Sequence, residues 1–213
     1  MTRILSFDVG VRNLAYCVLE VSDSSEESSF SRRVSIEEWD VIDVGGDVRD
    51  CERCCARLTR LLRERFGTTR EDVVLVERQP RGRNLMMMTV QVGLGIFFNY
   101  KDRRVHFINA YHKLDLPSFL RPFETHEHEL RETDEPENKK RCRKKRQDPA
   151  SRRMQYKKNK ADAIASCRHI LENILGDYAN LALLDAYPKK DDLCDSFLQA
   201  AHYACKTLRL QRD

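Results

Sequence analysis

The stretch DVVLVE, Asp72 to Glu77, limits the possible folds most. It is a short continuous apolar run with an acid at each end. Such a run suits a parallel strand buried on both faces. Residues 3 to 9 form a second kind of strand. Ile4, Ser6 and Asp8 fall on one face, Leu5, Phe7 and Val9 on the other, and Gly10 interrupts the run. Leu14–Val21 reads as its hairpin partner and Val34–Val44 as a third strand, with the polar loop SDSSEESSF between them. RVHFINA supplies one more strand after the buried one.

Helical spacing fills the gaps between strands. Over Asp47–Phe66, Val48, Cys51, Cys55, Leu58, Leu61 and Leu62 recur on one face, and Gly67 closes the segment. Asn84–Asn99 is apolar nearly all round. Lys157–Leu175 places Ala161, Ile164, Ala165, Ile170, Leu171 and Ile174 inward, and Asp191–Leu208 places Leu193, Phe197, Ala200, Ala204 and Leu208 inward. Adjacent strands followed by strands alternating with helices give an α/β mixed sheet, an antiparallel meander and then parallel strands. At 213 residues the chain is expected to be a single domain, with a charged irregular insert at about 121–156.

That insert is where the charge concentrates. The net charge is only +4, yet Glu124–Glu137 carries seven acids and Lys139–Lys160 carries twelve Lys or Arg against Asp148 alone. A block of this density points to a polyanion partner. Lys144, Lys145, Arg152, Arg153 and Lys157 are its candidate nucleic-acid contacts. The eight cysteines include a C-x-x-C-C cluster, Cys51, Cys54 and Cys55, but no second pair stands at zinc-site spacing. Reduced thiols in a cytosol-like compartment are the expectation. No run is long and apolar enough to span a membrane. The first strand starts at about residue 3, so no cleavable leader is expected.

Acids stand where folding alone would not put them. Asp8 ends the first strand and Glu77 ends the buried one. In open α/β sheets, sites form at the carboxyl ends of neighbouring strands, so the two can converge. Asp191, Asp192 and Asp195 open the last helix. Turning that helix from its apolar stripe sets Asp192 and Asp195 beside the buried seam and Asp191 toward solvent. Gathered carboxylates repel unless a cation joins them, and oxygen ligands suit Mg²⁺ or Mn²⁺. Acids in a first helical turn also favour its dipole, so the aspartates alone do not decide. Glu77 does, because a carboxylate at the end of a buried strand needs a partner.

Four segments, SFDVGVRN, VLVERQPRGRN, YKKNKADAI and KKDDLCDSFLQAAHY, stand in the order found in RuvC-like Holliday junction resolvases. The chain resembles most the branch of poxviruses, iridoviruses and fungal mitochondria. The resemblance implies a ribonuclease-H-like fold, a homodimer, and two divalent metals per subunit that nick opposing strands of a four-way DNA junction. It implies metal ligation by Asp8, Glu77, Asp192 and Asp195. It also implies a catalytic lysine at the start of the preceding helix, where Lys160, Lys158 and Lys157 compete and Lys160 or Lys158 is favoured. Arg81, Arg83 and Asn84, after the second acid, would lie near DNA and the dimer partner. The apolar helix at Asn84–Asn99 would bury one side against the sheet and the other against a second subunit, with Gly93 and Gly95 allowing close approach. The absence of a leader leans toward a viral or cytosol-like setting.

Three competing readings share parts of this pattern. A sugar-kinase or actin-like ATPase also opens with a strand, an Asp and a glycine turn, but it needs a second such lobe. A ribonuclease H would use the same fold and metals on RNA–DNA hybrids. A non-catalytic DNA-binding module would need none of the four acids.

Overall fold

The computed structural model describes residues 1–23, 29–45, 50–80, 84–110, 115–122 and 148–210, with backbone alone at 149, 150 and 152. Arg81, Arg83, Lys144, Lys145 and most of the charged insert lie outside these residues, as does the side chain of Arg152.

Five strands form one sheet in the order β3-β2-β1-β4-β5. They are β1 (Thr2–Asp8), β2 (Leu14–Val21), β3 (Val34–Ile42), β4 (Val73–Glu77) and β5 (Arg104–Ile108). β1, β2 and β3 form an antiparallel meander, and β4 and β5 add in parallel beside β1. The mixed sheet expected from sequence is therefore present. β4 is buried along its whole length, as its unbroken apolar run requires.

Alternation along the strands feeds two cores. Ile4, Cys17, Leu19, Val73 and Leu75 pack on one face, and Leu5, Phe7, Tyr16, Val18, Val74 and Val76 on the other. The second face is covered by α2 (Cys51–Phe66) and α3 (Leu85–Tyr100). Asp50 caps α2 by accepting from the Arg53 N–H at 3.0 Å, and Gly67 follows its last turn. The buried stripe of α2 is Cys54, Leu58, Leu62 and Phe66, while Cys51 and Cys55 are exposed. The expected stripe is thus shifted toward Cys54, because Phe66, at the far end of the helix, aligns with that row. Asn84 caps α3, its side-chain oxygen accepting from Met86 and Met87. Gly93 and Gly95 do permit close approach, but within the chain. A Cβ at Gly93 would stand 2.7 Å from Leu58 of α2, and one at Gly95 would stand 2.7 Å from the Phe107 ring of β5.

The first face is covered by α4 (Pro149–His169), whose last turns widen to π-helical winding over Ile170–Leu175, and by α6 (Lys190–Leu208). A short α1 (Phe30–Arg33) precedes β3, and α5 (Tyr178–Ala186) links α4 to α6. α4 starts eight residues earlier than expected, so Arg152 and Arg153 belong to a helix and not to an irregular insert. Pro149 in the first turn favours that start, because its fixed φ suits a helix and its missing N–H needs no partner there. Ala161 and Ala165 are exposed, whereas Ala163, Cys167, Ile170 and Leu171 are buried. Small residues gave the wrong side of this helix its inward look.

α6 is buried almost all round. Its polar residues survive there because each finds a partner. Gln199 donates to the Phe7 carbonyl (3.3 Å), and His202 Nδ1 bonds with the Asp115 carbonyl (2.6 Å). Trp39 of β3 donates to the Leu193 carbonyl at 3.0 Å and stacks near Phe197. An unmatched buried amide costs about 1–3 kcal/mol, so these bonds pin α6 in one position across β1 and β3. Among the described residues, no helix is long and apolar enough to cross a membrane.

Candidate active site

The site forms where β1 and β4 end. Phe7 pairs with Val76, so the residues that follow, Asp8 and Glu77, end two adjoining parallel strands. By alternation both share the face of Ile4 and Leu75, which is the face α6 covers. α6 brings its first turns over this strand edge.

A cleft of about 650 Å³ lies there, and it is lined by Asp8, Glu77, Asp191, Asp192, Asp195 and Lys160 among others. All four expected acidic ligands therefore face one space. Asp191 joins them, contrary to the expectation that it points to solvent. The helical projection failed because α6 is covered on nearly every side, so no single stripe defines its outward face. Five carboxylates and three cationic side chains, Arg12, Lys160 and Lys189, line the cleft. A net acidic cleft repels phosphate unless further positive charge enters it.

The lysines are already engaged. Lys160 of α4 forms an ion pair with Asp191 and lies 4.9 Å from the centre of the Tyr156 ring. Burial pulls the Lys160 ammonium pKa down, but the Asp191 and Tyr156 contacts outweigh it and raise the pKa above the ordinary lysine value. Lys189, just before α6, reaches Asp192 at 2.7 Å. Burial lowers its pKa too, and the Asp192 hydrogen bond and charge reverse the shift. Asp192 is buried and Asp191 nearly so. Lys157 and Lys158 are exposed and do not line the cleft, and Arg153 is exposed on the first turns of α4. Asn84 caps α3 and is likewise outside the lining.

Glu77 is held by its own loop. Gln79 Nε2 donates to Glu77 Oε2 at 3.1 Å, and the Gln79 N–H donates to Gln91 Oε1 of α3 at 2.6 Å. Gln79, Gln91, Lys189, Asn159, Tyr156 and Asp191 escaped the sequence reading as site residues. The polar Gln91 inside the apolar run of α3 was the available signal for one of them.

The donor set consists of carboxylate oxygens, which suit a hard divalent cation. Among the described residues, no group of three His, Cys, Asp or Glu is drawn tightly enough to enclose an ion. Two ammonium groups stand instead on Asp191 and Asp192. The chemistry of the site fits such a cation, which would enter by competing with the lysines.

The family model described as "Mitochondrial resolvase Ydc2 / RNA splicing MRS1" matches residues 4–141. The chain belongs to this family. No curated protein sequence matches it. Among solved structures, the chain is similar to the yeast mitochondrial Holliday junction resolvase Ydc2 (TM-score 0.58, 15% identity), covering 98% of this chain and 82% of that one. It is similar to the fowlpox virus resolvase in complex with Holliday junction DNA (0.57, 18%; 97% and 99%). RuvC of Thermus thermophilus has a TM-score of 0.56 at 12% identity, with 99% of both chains covered. At these identities the likeness establishes the fold, which is RuvC-like. The resemblance read from the four sequence segments is borne out.

Proposed function

We propose that the protein is a metal-dependent endonuclease that resolves four-way DNA junctions by paired symmetric nicks. One observation carries this reading. Acids from β1, β4 and α6, distant in sequence, line one cleft together with Lys160. A module that only bound nucleic acid, DNA or RNA, would gain nothing from repelling phosphate there.

Asp8, Glu77, Asp192 and Asp195 would hold the cations, Mg²⁺ with Mn²⁺ as a substitute, two per subunit. Bound there, the ions would supply Lewis acidity toward the scissile phosphate and lower the pKa of an attacking water. The remaining work falls to the chain itself. Gln79 fixes the orientation of Glu77. Burial and Trp39 fix the start of α6, and with it Asp192 and Asp195. Lys160 keeps its proton at neutral pH and stands where it can offset charge that develops on the phosphate. The geometry favours it over Lys158 for the catalytic role.

Homodimerisation through α3 belongs to the same reading, because paired nicks need two cleavage sites. Its support is a row of exposed apolar residues on an otherwise buried helix: Leu85, Val92, Ile96 and Tyr100. Arg81, Arg83, Lys144, Lys145, Arg152, Arg153 and Lys157 remain candidate DNA contacts by charge.

The test is incubation with a synthetic four-way junction, a linear duplex and an RNA–DNA hybrid, with and without Mg²⁺. Paired nicks in the junction alone, only with Mg²⁺, are expected. Preferential hybrid cleavage would move the protein to the ribonuclease H reading. Junction binding without cleavage would make it a binding module.

A further inference from the structure

On the side of the sheet away from α4 and α6, the outer face of α2 is built of arginine. We propose that Arg53, Arg60 and Arg63, on the exposed face of α2, form a second contact surface for duplex DNA, gripping an arm that leaves the cleft. The inference rests on the junction reading for the identity of the arm and extends it to residues outside the cleft.

The composition of the helix is the first argument. α2 carries Arg53, Arg57, Arg60, Arg63 and Arg65, no lysine, and only Glu52 and Glu64 as acids. Lysine is absent throughout residues 1–100, so what distinguishes α2 is its density of arginine, five against two acids. Phosphate recognition favours the arginine fork, which can donate two parallel hydrogen bonds. At 100° per residue, Arg53, Arg57 and Arg60 lie within about 60° of one another, opposite the buried Cys54, Leu58, Leu62 and Phe66. Arg53, Arg60 and Arg63 are exposed. Their ion pairs are local and wet: Arg53 with Asp50 at 3.3 Å and Arg60 with Glu64 at 3.8 Å. Exposed pairs of this kind are worth about 0–1 kcal/mol, too little to hold the side chains from a phosphate.

Shape is the second argument. Ala56 and Thr59 floor a shallow open hollow walled by Arg60, Arg63 and Glu64. Small residues between long basic ones let a sugar-phosphate backbone approach the helix. From Arg53 to Arg63 the helix rises about 15 Å, the length of roughly four phosphates along one strand of a duplex.

Placement is the third. β3 runs parallel to β1, since both are antiparallel to β2. β3 therefore ends on the cleft side of the sheet, and α2 begins there. The Gly45 N–H after β3 donates to the carbonyl of Val11 at 3.3 Å, and Val11 lines the cleft. Arg57 donates to the Asp43 carbonyl in the same loop at 3.4 Å. The arginine row thus starts near the loop that bonds to the cleft-lining Val11 and leads away from it.

The experiment compares the intact protein with the triple variant Arg53→Gln, Arg60→Gln, Arg63→Gln, leaving Arg57 to hold its loop. Binding to a four-way junction is titrated over a range of salt in Ca²⁺, and cleavage is followed at saturating protein in Mg²⁺. The slope of log affinity against log salt should fall by about 2–3, the counterions released at three phosphate contacts. Affinity at low salt should drop about tenfold or more, with the same circular dichroism spectrum and melting midpoint. The single-turnover cleavage rate should stay within about twofold, since these residues are outside the cleft. Trimming the junction arms so that they end before the row should erase the difference between the two proteins. An unchanged salt slope in a folded variant overturns the proposal, even if the intact protein cleaves junctions. A reduced slope on plain duplex, with no junction cleavage by the intact protein, would keep the contact surface and sink the resolvase reading instead.

Discussion

α6 and α3 break the usual rule of helix burial in opposite directions. α6 is rich in polar residues yet buried nearly all round, while α3 is apolar nearly all round yet exposes Leu85, Val92, Ile96 and Tyr100, with Ile96 at 66% and Tyr100 at 88%. Each departure has a different physical meaning. The polar groups of α6 are satisfied from outside the helix, by Phe7, Trp39 and Asp115, so burial fixes the helix and aims its acids at the strand edge. The exposed face of α3 has nothing on it within the described chain. The buried polar helix serves the cleft, and the exposed apolar face is the one the proposed dimer would cover.

The sharpest way to break this contrast is through the acids. Glu77→Gln or Asp8→Asn should lower the junction cleavage rate by about a thousandfold or more while binding is kept or strengthened, because the lost charge is anionic. A mutant that cleaves near the wild-type rate would remove α6 and the strand edge from the active site. Next in size is the exposed face of α3, the proposed dimer surface. Ile96→Glu should convert a dimer to a monomer in sedimentation and abolish paired nicking, with little change in melting midpoint. The buried neighbour Leu94→Ala should instead lose about 2–5 kcal/mol in urea denaturation. If Ile96→Glu leaves the sedimentation coefficient untouched, the exposed stripe is not a dimer face.

Lysine substitution separates the two candidates on α4. Lys160→Ala should slow cleavage about 100–1000-fold, as loss of one charge-stabilising donor does, and Lys158→Ala should stay within about twofold. Equal effects would mean that exposure on the helix, not place in the cleft, decides. The smallest effect concerns how α6 is held. Trp39→Phe keeps most of the ring but removes its N–H bond to the Leu193 carbonyl, which still accepts from the Ser196 hydroxyl at 2.8 Å, at a cost of about 0.5–1.5 kcal/mol by urea denaturation. A change below about 0.5 kcal/mol would show that packing alone holds the helix.

The two kinds of element were not equally legible in the sequence. Asp8 and Glu77 could be placed because a strand has a period of two and each acid ends its run. The burial of β4 followed from its composition. Asp191 was misplaced because a helical projection assumes one buried side, and α6 has almost no other kind. The first turns of α4 were missed because residues 149–156, with Arg152 and Arg153 among them, carry no apolar stripe to read. α5 is too short for its periodicity to register. The Lys160–Asp191 pair depends on how α4 and α6 meet in space, which nothing local in KKNK records, whereas the Lys189–Asp192 pair is local, three residues apart within PKKDD.

The central claim is that carboxylates from β1, β4 and α6 act together on a branched DNA substrate. It is tested most directly by one single-turnover experiment. A synthetic four-way junction and a matched linear duplex are each exposed to the intact protein and to Glu77→Gln, in Mg²⁺ and in EDTA. The account predicts symmetric nicks in the junction with the intact protein in Mg²⁺, and in no other combination. Nicking of the duplex at the same rate, nicking in EDTA, or nicking by Glu77→Gln would contradict it.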